Sequence, residues 1–167
     1  MENLLQQLRL VVEAMQQQRK TNRRFCSIHE FVLQYGKPFE YQPLPSGVRW
    51  GEPKRCFENS AKLAAVEGWI YVEGFGTVRG VGLAIHHAWV CKPGTNIVID
   101  PTTNNIKHYF GVPFKHEALR RHWKYNHSNS ASMLDDWHND WPLLHKSIEE
   151  VRSMLAHVPH EAPAIAE

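Results

Sequence analysis

Long apolar runs are missing from this chain: no stretch approaches the roughly 20 residues that a membrane-spanning helix needs. No membrane partner is expected. Charge of one sign is also scarce, with 19 Lys+Arg against 17 Asp+Glu and a formal net charge of +2. So small an excess attracts phosphate weakly, and the basic clusters Arg19-Lys20 with Arg23-Arg24, and Arg120-Arg121, are short. A nucleic-acid partner, with Trp123 and Tyr125 stacking on bases beside Arg120-Arg121, is a poor second reading. Cysteine is sparse too. Three residues, an odd number, follow a start (MENLLQQLRL) without the charged-then-apolar layout of a signal peptide. That combination predicts free thiols in a reducing, cytoplasmic setting. Cys-x-x-Cys and His-x-x-Glu-His are both lacking, so His108, His116, His122, His127, His138 and His145 read as surface histidines. No metal or cofactor is expected.

What is present fits one α+β domain. The 167 residues are 43% hydrophobic and 22% charged, enough to bury a core. We read residues 1–157 as that domain, with its core at 50–112, an N-terminal helical region at 3–35, a C-terminal helical region at 116–156, and a flexible tail at 158–167. Leu4, Leu5, Leu8, Val11, Val12 and Met15 recur every three or four residues and predict a helix over 3–19. Ser27 and Glu30 have capping-box spacing for a helix over 28–35, which Gly36 can close in a left-handed conformation. Pro38, Pro43, Pro45 and Pro53, with Gly47 and Gly51, mark 37–53 as an irregular connection of the kind that often carries function.

A helix over 56–67 follows Pro53 and stops at Gly68. Aromatic and β-branched residues predict strands over 69–75, 83–91, 96–100 and 108–112. Helical pieces at 116–124, 133–137 and 142–156 complete the chain. Helices, then helix–strand–strand–strand, then helices again, describe an α+β layout with an antiparallel sheet.

Cys56, His87 and Asp100 carry the chemistry. A thiol attacks as thiolate, which a helix N-terminus and a neighbouring imidazolium both favour. Cys56 stands at the expected helix start, and the unpaired N–H groups there suit the oxyanion of an acyl intermediate. If Cys91 pairs with Asn96 across the Lys92–Thr95 turn, His87 lies directly opposite Asp100, about 4.5–5.5 Å away at Cβ. The carboxylate then orients one ring nitrogen and leaves the other for the thiol. His86, of opposite parity, faces away, while Cys26 and Cys91 read as buried structural thiols.

Cys56 at a helix start, YVEGF (71–75), His87-Ala88-Trp89 and Ile99-Asp100-Pro101-Thr102, in this order, resemble the core of the transglutaminase-like branch of the papain-like cysteine enzymes. The resemblance spans residues 50–112. It implies a papain-like core in which the Cys helix packs on an antiparallel sheet. It also implies Cys56 as nucleophile, His87 as base and then acid, and Asp100 as the orienting acid. Trp50 stands where an upstream residue donates to the oxyanion in such enzymes, so its indole N–H is a candidate donor. Cys56-Phe57-Glu58-Asn59 is similar to a run in the related arylamine acetyltransferases, which adds Asn59 to the candidates. Trp89 is a further one, though its place beside His87 suits core packing. Two departures are plain: Lys54-Arg55 precede the Cys, and Phe57 follows it.

The expected activity is cysteine-dependent acyl transfer from an amide of a protein or peptide, as in a protease, isopeptidase or deamidase. A transglutaminase or a small-donor acyltransferase could use the same triad. A non-catalytic binding module of the same fold is the remaining alternative.

Overall fold

A computed structural model describes residues 1–18, 22–128 and 130–159. Within them, α1 (Glu2–Gln16) and α2 (Ile28–Tyr35) precede strand β1 (Lys37–Tyr41). Then come α3 (Cys56–Glu67) and four strands: β2 (Ile70–Val78), β3 (Ala84–Cys91), β4 (Ile97–Ile99) and β5 (Ile106–Phe114). Helices α4 (His116–Asn126) and α5 (Ile148–Met154) follow, with short 3-10 turns at Trp137–Asn139 and Pro142–His145 between them. The mixed α+β class is as expected.

The sheet is not antiparallel throughout. Its strands close into a barrel in the order β1-β4-β3-β2-β5, and β1 runs parallel to β4, with Glu40 opposite Ile97. β1 lies inside the segment expected to be irregular. KPFEY is too short to show an alternation, and Pro38 argues against a strand on local grounds. Closure overrides that preference. Without β1, β4 and β5 would each present an unpaired edge. β1 pairs with both, placing Phe39 opposite Tyr109 of β5.

The barrel has two faces. Phe39, Val72, Trp89, Cys91, Val98, Ile106 and Tyr109, drawn from all five strands, fill its interior. On the outer face Tyr71, Phe75, Ala88, Val90, Phe110 and Val112 pack against Leu4 and Leu8 of α1, Phe31 and Val32 of α2, and Ala61 and Ala64 of α3. Each buried aliphatic or aromatic side chain there contributes about 1.5–3 kcal/mol. This outer packing holds the N-terminus of α3 on the barrel wall.

Several local expectations are revised. α1 ends at Gln16; Arg19 and Lys20 lie outside the described residues. Ser27 does cap α2, its hydroxyl accepting from Glu30 N at 3.2 Å, but the Glu30 carboxylate accepts from Cys26 N. Gly36 is extended (φ −73°), not left-handed. It is small for another reason: a Cβ there would stand 2.5 Å from the Val32 carbonyl oxygen and 2.8 Å from the Phe110 ring. The 142–156 helix divides because Ser147 starts a new one with a complete capping box. Residues 133–136 are not helical, since the amides of Met133 and Leu134 bind the Glu73 carboxylate instead.

The tail is corrected at its first residue. Val158 is buried within the barrel interior, and its carbonyl accepts from Lys37 Nζ at 2.7 Å. Residues 160–167 lie outside the described residues. Trp123 is buried edge-on against Tyr71, which removes it from any base-stacking surface. No helix among the described residues is long and apolar enough to cross a membrane.

Candidate active site

Cys56 is the first residue of α3, and it is buried. Among the described residues no side chain caps that helix start, so its leading N–H groups stay open to an incoming acceptor. Two residues earlier, Lys54 holds a left-handed backbone (φ +66°), a conformation that costs a non-glycine residue about 1–2 kcal/mol. Neighbouring bonds maintain it. Gly51 N donates to the Pro101 carbonyl (2.7 Å), and Asn59 Nδ2 donates to the Glu52 carbonyl (2.8 Å) and to Thr102 Oγ1 (3.0 Å). The loop before Cys56 is thereby tied to the turn after Asp100.

His87, near the middle of β3, meets Asp100 just past the end of β4. Nε2 and Oδ2 are 2.6 Å apart, and both residues are buried. The strand register differs from the expected one. β3 and β4 pair Val90 with Ile99 and Cys91 with Val98, two residues away from the Cys91–Asn96 pairing. Asn96 is drawn elsewhere: its carbonyl accepts from Glu40 N of β1, while Thr95 folds back onto the Lys92 carbonyl. A two-residue displacement preserves parity, so Asp100 stays on the face of His87 as a diagonal neighbour, within reach of the side chains.

Asp100 is saturated. Oδ1 accepts from Thr102 N (2.8 Å) and Thr103 N (3.2 Å), and Oδ2 accepts from His87 and from the Tyr109 hydroxyl (3.0 Å). Tyr109 was not among the sequence candidates. The alternation in HYFGV separates it from Phe110, but only barrel closure shows that its face is the interior one.

Electrostatics bind the three groups together. Burial pulls the His87 pKa down, but the Asp100 bond and charge, with a further contribution from Cys56, push it up to about 9. His87 is therefore an imidazolium at neutral pH. Its Nε2 is held by Asp100, which leaves Nδ1 as the ring nitrogen that Asp100 does not engage. Burial and then the Asp100 charge raise Tyr109 far above its ordinary value, so its hydroxyl remains a neutral donor.

A stability dependence follows from the raised His87 pKa. The contribution is complete below the ordinary histidine value of 6.5 and is lost as pH rises through about 9. The urea midpoint should fall across that interval, and Asp100→Asn should flatten the fall. An equally steep fall in the variant would mean that the pair is not its source.

The remaining candidates are placed differently. Trp89 is wholly buried inside the barrel, stacked on His87 (ring centroids 6.2 Å apart) and edge-on to Tyr109 (5.1 Å), so it cannot touch a substrate. Asn59 has both amide hydrogens engaged and braces the loop rather than an oxyanion. Trp50 is 54% exposed, and its indole N–H meets no protein acceptor among the described residues. His86 turns to the outer face, where Nε2 lies 2.9 Å from Glu73 Oε1. Cys26 and Cys91 are buried, and burial pushes Cys91 up to about 12. Among the described residues no group of three His, Cys, Asp or Glu could hold a metal ion.

Compared with protein-family models, curated proteins and solved structures, the chain matches none. The chemistry available to the site therefore rests on its own geometry: an open helix start beside a thiol, an imidazolium with one committed nitrogen, and a saturated carboxylate.

Proposed function

We propose that this chain is a cysteine-dependent acyl-transfer enzyme acting on an amide of a protein or peptide, built on a papain-like core of the transglutaminase-like branch. The observation that carries the reading is the buried 2.6 Å His87–Asp100 bond on β3, the strand against which α3, with Cys56 at its uncapped start, is packed. A solvated surface histidine needs neither a saturated acid behind it nor a thiol at a helix start in front of it.

In the proposed reaction the Cys56 sulfur attacks the amide carbon and the N–H groups at the start of α3 receive the oxyanion. His87 Nδ1 passes its proton to the nitrogen as the C–N bond breaks, which leaves an acyl-thioester and a free amine. The neutral ring then takes a proton from water, whose oxygen attacks the thioester; the C–S bond breaks and the carboxylic acid leaves. Water as acceptor makes the enzyme a protease, isopeptidase or deamidase, in a cytoplasmic setting. An amine in its place gives transamidation, and a small thioester donor gives acyltransferase chemistry on the same triad.

The test is competitive alkylation of the three thiols by iodoacetamide, read by peptide mass spectrometry. Cys56 should react at least about tenfold faster than Cys26 or Cys91, and should keep most of that rate near pH 6. Equal labelling, or no labelling of Cys56 in the folded protein, would falsify the reading.

A further inference from the structure

We propose that Tyr109 is a positioning residue of the triad, its hydroxyl holding the Asp100 oxygen that also receives His87. The inference rests on the acyl-transfer reading and extends it to a residue outside the triad motif.

An ionised carboxylate offers about four acceptor positions, and here all four are filled from three directions. Two backbone amides on Oδ1 come from the turn that follows Asp100 itself, so they move with that turn. Tyr109 on Oδ2 comes from β5, a separate strand of the barrel. Among the described residues it is, besides His87, the donor that ties the acid to a strand of the barrel. The Tyr109 ring is itself held, fully buried, between Trp89 at 5.1 Å and Tyr41 at 6.3 Å, with the Arg79 guanidinium 5.0 Å above the Tyr41 ring.

Geometry assigns the proton. The phenol donates to the carboxyl oxygen, and its own oxygen lies 3.0 Å from the one that His87 approaches at 2.6 Å. Two donors on one oxygen fix its direction. They also hold that oxygen in place while His87 gives up and regains its proton. The same aromatic cluster keeps water from the Nε2–Oδ2 bond.

Tyr109→Phe removes the hydroxyl and keeps the ring. The measured quantity is the alkylation rate of Cys56 at pH 6.5, taken in the wild-type and the Asp100→Asn backgrounds. The expected result is a loss of about tenfold in the first background and less than about twofold in the second, because the phenol acts through Asp100. A merely structural tyrosine would lower both rates alike, and that outcome overturns the proposal, as does a wild-type rate in Tyr109→Phe. Replacing Tyr109 with 3-fluorotyrosine retains the donor and should restore the rate to within about twofold; failure of this rescue also overturns it. If Cys56 in the wild type reacts no faster than Cys26 and Cys91, the acyl-transfer reading itself falls and takes the inference with it.

Discussion

Cys56→Ala is expected to lower amide turnover by about a thousandfold or more while leaving the protein folded. A nucleophile that forms the covalent intermediate has no substitute within the triad. Removing one member of such a unit costs nearly as much as removing all of them. The hydroxyls named at the site are already engaged: Thr102 Oγ1 accepts from Asn59, and the Tyr109 hydroxyl donates to Asp100. Folding should tolerate the change, since losing one small buried side chain costs about 1 kcal/mol. Comparing a proteome treated with wild type and with Cys56→Ala reads both the activity and its substrates. New termini or deamidated glutamines only in the wild-type sample support acyl transfer. Full biological effect in the variant, with no covalent adduct seen by intact mass, would leave a binding module of the same fold. Saturable acylation of Cys56 by small thioesters would instead favour the acyltransferase form.

What the chain discloses before folding depends on how local the signal is. The start and end of α3 are local: Pro53 ahead, a run of helix formers, and Gly68, whose φ of +67° ends it. The helix over Cys56–Glu67 and its N-terminal Cys are therefore legible in the sequence. Parity along β3 is local as well, so His86 and His87 separate to opposite faces without knowledge of the register. The register itself is not local. It depends on Asn96 bonding to β1, a strand 55 or more residues earlier that the prolines of its own segment disguise. Tyr109 and the buried tail at Val158 stay hidden for the same reason, because both are defined by the closed barrel. The His87–Asp100 pairing survives a wrong register only because the displacement is an even number of residues.

Glu73→Ala is expected to cost about 3–5 kcal/mol, the scale for stripping one partner from a buried charged network. Glu73 is wholly buried on β2, and nothing in the YVEGF pattern marks it as more than a strand residue. Its carboxylate accepts from the Tyr71 hydroxyl (2.9 Å), the Met133 and Leu134 amides (2.8 and 3.0 Å), Ser132 Oγ and His86 Nε2 (2.9 Å). An alanine would leave these donors facing a cavity, each at about 1–3 kcal/mol if water cannot enter. Burial alone would raise its pKa. The His86 bond and charge, the Ser132 hydroxyl and the Met133 amide more than reverse that, and hold it below the ordinary 4.5. A depressed carboxyl contributes stability that is complete above the unfolded value and is lost as pH falls through the folded one. The urea midpoint of the wild type should therefore drop below about pH 4.5, and Glu73→Gln should blunt that drop while lowering stability at neutral pH. Because Glu73 precedes Gly74, the residue paired with His87, unfolding of this network would also loosen the base of the triad. Cys56 alkylation and the urea midpoint should then fall together in Glu73→Ala. A variant that denatures with the wild type would mean that water, not this carboxylate, supports the 132–134 segment.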